Sequence, residues 1–199
     1  MIRLAFLASN NGSSLRAIVA AIEAGALEAK AVLAVSNRKG APALDFARDR
    51  GVKSLVIPTL ADPAAADIRL SQALVCAGAD LVILSGYLRK LGPETLNAFS
   101  GRILNIHPAL LPNFGGPGMY GRRVHEAVIA AGEDVSGASV HLVDSEYDHG
   151  AVIAQVEVPI LPGETAQNLE ARVVAAESPL FVTTLQRIAS GELSLKRPA

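Results

Sequence analysis

Arg102-Ile103-Leu104-Asn105-Ile106-His107-Pro108-Ala109-Leu110-Leu111-Pro112 begins as a buried strand and then breaks off. Ile103, Leu104 and Ile106 supply the apolar positions, and the period of two along an extended chain puts Asn105 and His107 on one face. Pro108 and Pro112 stop the strand from continuing and stiffen its exit. A carboxamide beside an imidazole suits a reaction in which a carbonyl oxygen gains negative charge while a proton moves. The same two residues also fit a plain polar strand end, with Asn105 capping a turn and His107 bonded to backbone. The pair alone does not choose between these readings.

The segments that precede this stretch decide its setting. Residues 2–9 form a near-continuous apolar run of strand length, the pattern of a strand buried on both faces. Strands follow at 30–36, 52–58 and 80–85, separated by helical patterns at 15–25, 42–50 and 62–77, with a short helix at 93–99. Such alternation with short connections predicts an α/β fold, a doubly wound and mostly parallel sheet of Rossmann-like type. Ligands of these sheets bind beyond the carboxyl ends of the strands. Residues 12–14, 85–87 and 105–107 are therefore expected along one edge of the sheet.

Gly12-Ser13-Ser14 lies between the first strand and the first helix. Free N–H groups at a helix start, with two hydroxyls, make an anion site. The turn lacks the lysine of a P-loop and the spaced glycines of a dinucleotide fingerprint, so a single phosphate fits it better than a dinucleotide. An ordinary cap, with Ser13 or Ser14 satisfying the helix and nothing bound, is the alternative.

Beyond residue 112, the glycines at 115, 116 and 118 allow a mobile lip or a close approach of a ligand to backbone. A helix is expected at 122–131, then strands at 136–143 and 151–160 that pair as an antiparallel hairpin beside the Asn/His strand. Their connection holds Asp144, Glu146, Asp148, His149 and Gly150. An acid reaching His107 would favour the charged ring and fix its orientation, and spacing does not say which acid does so. A last helical pattern runs over 165–188, with Thr165 as cap and Pro179 as a candidate break. Residues 191–199 read as a peripheral tail.

With 199 residues, half of them hydrophobic, the chain is expected to be a single domain with a real core. The first 100 residues read as a phosphate-binding half and residues 101–190 as a catalytic half. Net charge is −1, from 18 basic and 19 acidic residues, and no basic footprint marks a nucleic-acid partner. Cys76, the lone cysteine, reads as buried filler, and no Cys/His cluster has metal-ligand spacing. No apolar run approaches the roughly 20 residues that span a bilayer, so neither a membrane nor a metal is expected and the location is read as cytoplasmic.

Taken together, these pieces resemble the phosphoribosylglycinamide formyltransferase family of purine biosynthesis, over residues 9 to about 191. Asn105 to Pro112 is similar to the signature shared by enzymes that use 10-formyltetrahydrofolate. Ser139-Val140-His141 and Asp148-His149-Gly150 are similar to the second active-site segment of the family. The resemblance implies formyl transfer from 10-formyltetrahydrofolate to phosphoribosylglycinamide, with Asn105, His107 and Asp148 at the catalytic positions. It implies that Gly12, Ser13 and Ser14 hold the substrate phosphate and that Glu177 holds the ribose hydroxyls. It further implies a folate cleft at Leu88, Arg89, Lys90 and Leu91, with Asn105 also facing the co-substrate, and backbone contacts around 145–150. Asn10, Ser14, Pro63, Val174 and Ser178 depart from the common family pattern. A homodimer is allowed by this reading and not located by it. Rival readings are a methionyl-tRNA formyltransferase, a formyltetrahydrofolate hydrolase and a non-catalytic nucleotide sensor.

Overall fold

Apolar strands alternating with amphipathic helices close into one sheet covered on both faces in the computed structural model, which describes residues 1–195. In chain order the elements are β1 (Ile2–Leu7), α1 (Ser13–Glu23), β2 (Ala29–Ser36), α2 (Pro42–Asp49), β3 (Ser54–Val56), α3 (Pro63–Cys76) and β4 (Leu81–Leu84). They continue with α4 (Pro93–Ala98), β5 (Ile103–His107), α5 (Arg122–Ala131), β6 (Val135–Leu142), β7 (Val152–Pro159) and α6 (Ala166–Ala189). The strand order is β3-β2-β1-β4-β5-β6-β7, parallel from β3 to β5 and antiparallel across β5–β6 and β6–β7. The winding direction reverses between β1 and β4, so their carboxyl ends diverge and open a crevice there.

Period two in β1 splits its side chains between two cores. Leu4 and Phe6 pack with Leu15, Ile18, Leu44, Phe181 and Leu185 under α1, α2 and α6. Ala5 and Leu7 pack with Leu70, Leu74 and Phe99 under α3 and α4. A smaller cluster of Val128, Ala138, Val158, Leu169 and Val173 supports the antiparallel end of the sheet. Asp67 ties two elements together: its carboxylate accepts the Glu94 and Thr95 N–H groups and the Thr95 hydroxyl, capping α4 from α3.

Three expectations change. Cys76 is exposed, because α3 turns Leu70 and Leu74 to the core and a residue two positions beyond Leu74 falls on the opposite face. Pro179 does not break α6, which runs continuously through it. Leu169 and Val173 before the proline, and Phe181 and Leu185 after it, are fully buried. Packing of both halves offsets the roughly 3 kcal/mol that an interior proline costs. The tail is partly docked: the Leu193 N–H donates to the Arg187 carbonyl, and Leu195 packs against the larger core. Residues 196–199 of the expected tail lie outside the described residues.

Candidate active site

At the crevice, α1 starts without a side-chain cap. Gly12 is its N-cap in the left-handed region at φ 65°, and neither Ser13 nor Ser14 caps the helix. A Cβ at Gly12 would lie 2.9 Å from the Ala43 Cβ, so both conformation and space call for glycine. The Leu15 N–H donates to the Ser85 hydroxyl and the Arg16 N–H to the Gly12 carbonyl. The Ser13 and Ser14 N–H groups form no hydrogen bond among the described residues, and they stand at the positive end of the helix dipole. That is the geometry of an anion site.

The 85–91 segment is tied to the same turn. The Ser9 N–H donates to the Gly86 carbonyl, and the Leu88 N–H donates to the Ser9 hydroxyl, which itself donates to the Asn37 side-chain oxygen. Leu88 is exposed and Leu91 belongs to the core under α3. Burial pushes the Tyr87 hydroxyl up to about 12, against the opposing pull of Arg89 and with a small push from Asp67. The Lys90 ammonium lies 5.7 Å from the Tyr147 ring centre, so the segment meets the 143–151 connection across the mouth of the site.

β5 delivers Asn105 and His107 to one face as expected, and β6 adds a third group. Asn105 pairs with His141 across the antiparallel ladder. The carboxamide nitrogen is 3.1 Å from His141 Nε2, while His141 Nδ1 is 2.8 Å from the Leu142 carbonyl oxygen. A carbonyl only accepts, so Nδ1 carries the proton and Nε2 accepts from the Asn105 amide. Burial keeps His141 below the ordinary histidine range; the Leu142 bond and the Asp148 charge oppose this. A neutral ring thus orients the carboxamide, leaving its second N–H for another acceptor.

His107 is 3% exposed. Its Nε2 is 2.8 Å from the Phe114 carbonyl oxygen and its Nδ1 is 3.4 Å from Asp148 Oδ2. Nε2 thus donates to a main-chain carbonyl, while the Asp148 carboxylate stands within ion-pair distance of Nδ1. Asp148 reaches back over the sheet by two backbone devices. It sits in the left-handed region at φ 57°, a conformation that costs about 1 kcal/mol or more away from glycine. Gly150 then passes so close to Leu142 that a Cβ would fall 1.9 Å from its carbonyl oxygen. The carboxylate lies 3.6 Å from His141 Nε2 through Oδ1 and accepts the Gly116 N–H at 3.0 Å through Oδ2.

The other two acids of the connection face elsewhere. Asp144 accepts the Glu146 N–H in a local turn, and Glu146 pairs with the exposed His149. Behind His107 the strand exit is clamped by the buried Ser139 hydroxyl, which donates to the Ala109 carbonyl and accepts from the Leu111 N–H and the Gln155 amide. His141, Ser139 and Gln155 are members of the site that residue types alone did not single out. Their signal is the register of β6 against β5 and β7.

A cleft of about 420 Å³ opens against Asp148, walled by Leu111, Pro112, Gly115, Gly116, Tyr147 and residues 149–152. Its size falls in the range of about 300–1,000 Å³ usual for small-molecule sites. Glu177 stands apart on α6: among the described residues its carboxylate has no hydrogen bond or ion pair, and burial pushes it up to about 7. The geometry joins Asn105, His107 and Asp148, and links the 12–14 turn to the 85–91 segment. Among the described residues it provides no hydrogen bond or ion pair from Glu177 to either group.

Comparison with known proteins places this geometry in a lineage. The formyl transferase family model matches residues 2–185. A chloroplastic phosphoribosylglycinamide formyltransferase of Vigna unguiculata is 38% identical over 188 residues, which is 94% of this chain and 60% of that protein. The chain thus spans about three fifths of the length of that curated relative. The phosphoribosylglycinamide formyltransferase of Escherichia coli is 32% identical over 97% of this chain and 90% of its own length. The crystal structure of glycinamide ribonucleotide transformylase 1 from Symbiobacterium toebii superposes with a TM-score of 0.88 at 34% identity, covering 98% of this chain and 91% of that one. With a match that spans every strand of the sheet, the Asn/His strand among them, the chain belongs to the formyl transferase family.

Proposed function

We propose that this chain transfers the formyl group of 10-formyltetrahydrofolate to the amine of phosphoribosylglycinamide in de novo purine biosynthesis, by direct amine attack through a tetrahedral intermediate. The reading is carried by the meeting of Asn105, His107 and Asp148 beside a cleft, in a family whose relatives of similar length bear that enzyme's name. The substrate phosphate sits on Gly12, Ser13 and Ser14, and Glu177 holds the ribose hydroxyls. The folate lies between Leu88, Arg89, Lys90 and Leu91 on one side and residues 145–150 on the other, with its formyl group at Asn105.

The amine lone pair attacks the formyl carbon, and the carbonyl oxygen becomes an oxyanion. Asn105 has one amide N–H left for that oxygen, because His141 takes the other. His107 donates to it once the Phe114 carbonyl withdraws from Nε2; the glycines at 115, 116 and 118 give that segment its freedom. Removing one such donor costs about 10²–10³ in rate. Asp148 balances the imidazolium charge and, through water, carries the proton from the attacking amine to the departing folate nitrogen. The new carbon–nitrogen bond is complete in the tetrahedral intermediate, the bond to the folate nitrogen breaks when that intermediate collapses, and one proton has changed nitrogen. No metal enters the scheme, and no helix of the described residues is long and apolar enough to cross a membrane. A cytoplasmic location, a homodimer and the absence of a nucleic-acid partner complete the proposal.

The test is incubation with 10-formyltetrahydrofolate, with and without phosphoribosylglycinamide, following release of the folate by absorbance. Amine-dependent release is the expected result. Release without the amine would make the chain a hydrolase, and no release in either case would leave it a binding module.

A further inference from the structure

The 9–14 turn and the 85–91 segment exchange serines. Ser9 follows β1, yet its hydroxyl serves the segment: it donates its one hydrogen to the Asn37 side-chain oxygen at 2.6 Å and accepts the Leu88 N–H at 2.8 Å. Ser85 follows β4, yet its hydroxyl serves the turn, where it accepts the Leu15 N–H at 2.9 Å. Each serine is 1% exposed.

Each bond anchors the element that receives it more than the one that supplies it. Among the described residues the Ser9 bond is the only hydrogen bond made by residues 87–91. The turn does not depend on that hydroxyl, because the Ala43 N–H donates to the Asn10 carbonyl and the Arg16 N–H to the Gly12 carbonyl. Leu15 stands at the third position of α1, where a side-chain cap acts, and Gly12 has no side chain to offer. Ser85 therefore caps α1 from another strand, which leaves the Ser13 and Ser14 N–H groups as the ones that face an anion. The segment keeps its own anchors without the Ser85 hydroxyl, through the Ser85 N–H on the Leu7 carbonyl and the Ser9 N–H on the Gly86 carbonyl.

We propose that Ser9 and Ser85 are crossed positioning residues: Ser9, beside the phosphate turn, sets the folate wall at 88–91, and Ser85, on the folate segment, sets the helix start that holds the phosphate. The identity of the two ligands rests on the formyl-transfer reading; the crossed anchoring is a property of the unliganded chain.

The experiment compares Ser9→Ala and Ser85→Ala with the parent in two measurements on the full chain. The first is calorimetric titration with tetrahydrofolate and, separately, with phosphoribosylglycinamide. Ser9→Ala is expected to weaken tetrahydrofolate by about tenfold and to leave the ribonucleotide within about twofold; Ser85→Ala does the reverse. The second is amide hydrogen exchange of the unliganded proteins by NMR. Exchange should quicken by about tenfold at Leu88 in Ser9→Ala and at Leu15 in Ser85→Ala, with the other amide unchanged in each. Equal weakening of both ligands by either variant, the signature of a merely structural role, overturns the proposal, and so does weakening on the uncrossed side. A parent that binds neither ligand refutes the formyl-transfer reading, and the exchange pattern then judges the anchoring by itself: unchanged exchange at Leu88 in Ser9→Ala, or at Leu15 in Ser85→Ala, overturns it.

Discussion

Glu177→Gln is expected to stabilise the protein at neutral and alkaline pH while impairing the proposed site. Burial raises the Glu177 carboxyl from the usual 4.5 to about 7, so the folded state disfavours the carboxylate and tolerates the acid. Below pH 4.5 the carboxyl is protonated in both folded and unfolded chains, and nothing is lost. Between 4.5 and 7 the unfolded chain ionises first, and stability falls as pH rises; above 7 the full penalty is in place. At about 1.4 kcal/mol per pH unit of separation, that penalty is about 3 kcal/mol. Glutamine keeps the shape and cannot ionise, so the variant should gain about 3 kcal/mol at pH 8 and almost nothing at pH 4.5. For a chain of this size, that corresponds to a rise in Tm of roughly 6–12 °C at the higher pH. Thermal unfolding of both proteins across pH 4.5–8.5, without ligands, provides the test. A Tm difference that is constant with pH, or a loss at pH 8, would refute the reasoning. The expected functional cost, weaker ribonucleotide binding, is the usual trade between stability and a strained site.

Ser139→Ala removes a hydroxyl that satisfies the Ala109 carbonyl and the Leu111 N–H at once; urea unfolding should show a loss of about 1–3 kcal/mol. His141→Gln removes the neutral ring that orients the Asn105 amide, and a misplaced donor should cost about 10²-fold in kcat with little change in KM. Equal losses in kcat and in ribonucleotide affinity would instead make His141 a purely structural residue.

The fold was largely legible because the central parallel strands are near-continuous apolar runs and each parallel strand is followed by a helix. The expected helix at 122–131 forms with those same bounds, flanked by Gly121 and Gly132. Boundaries shifted where packing, not pattern, ends an element: the third strand shrinks to Ser54–Val56 at the edge of the sheet, where it has one neighbour. Cys76 was misplaced because composition around a residue does not say which face of a helix it takes. Asn105 and His107 were legible as a pair from period two alone. Which acid joins them was not, since it depends on the left-handed turn at Asp148 and the close pass at Gly150, neither visible as spacing. His141 sits inside a recognised motif, yet its duty depends on the register with Asn105 and on the irregularity between Val140 and His141 that re-aims the strand end.

The account stands on the Asp148 carboxylate acting through His107, and steady-state turnover of Asp148→Asn across pH, paired with a direct measurement of ribonucleotide affinity, tests it. Turnover is expected to fall by about 10²–10⁴ while the affinity for phosphoribosylglycinamide stays within about twofold of the parent. Undiminished turnover at every pH would remove Asp148 from the chemistry and contradict the account.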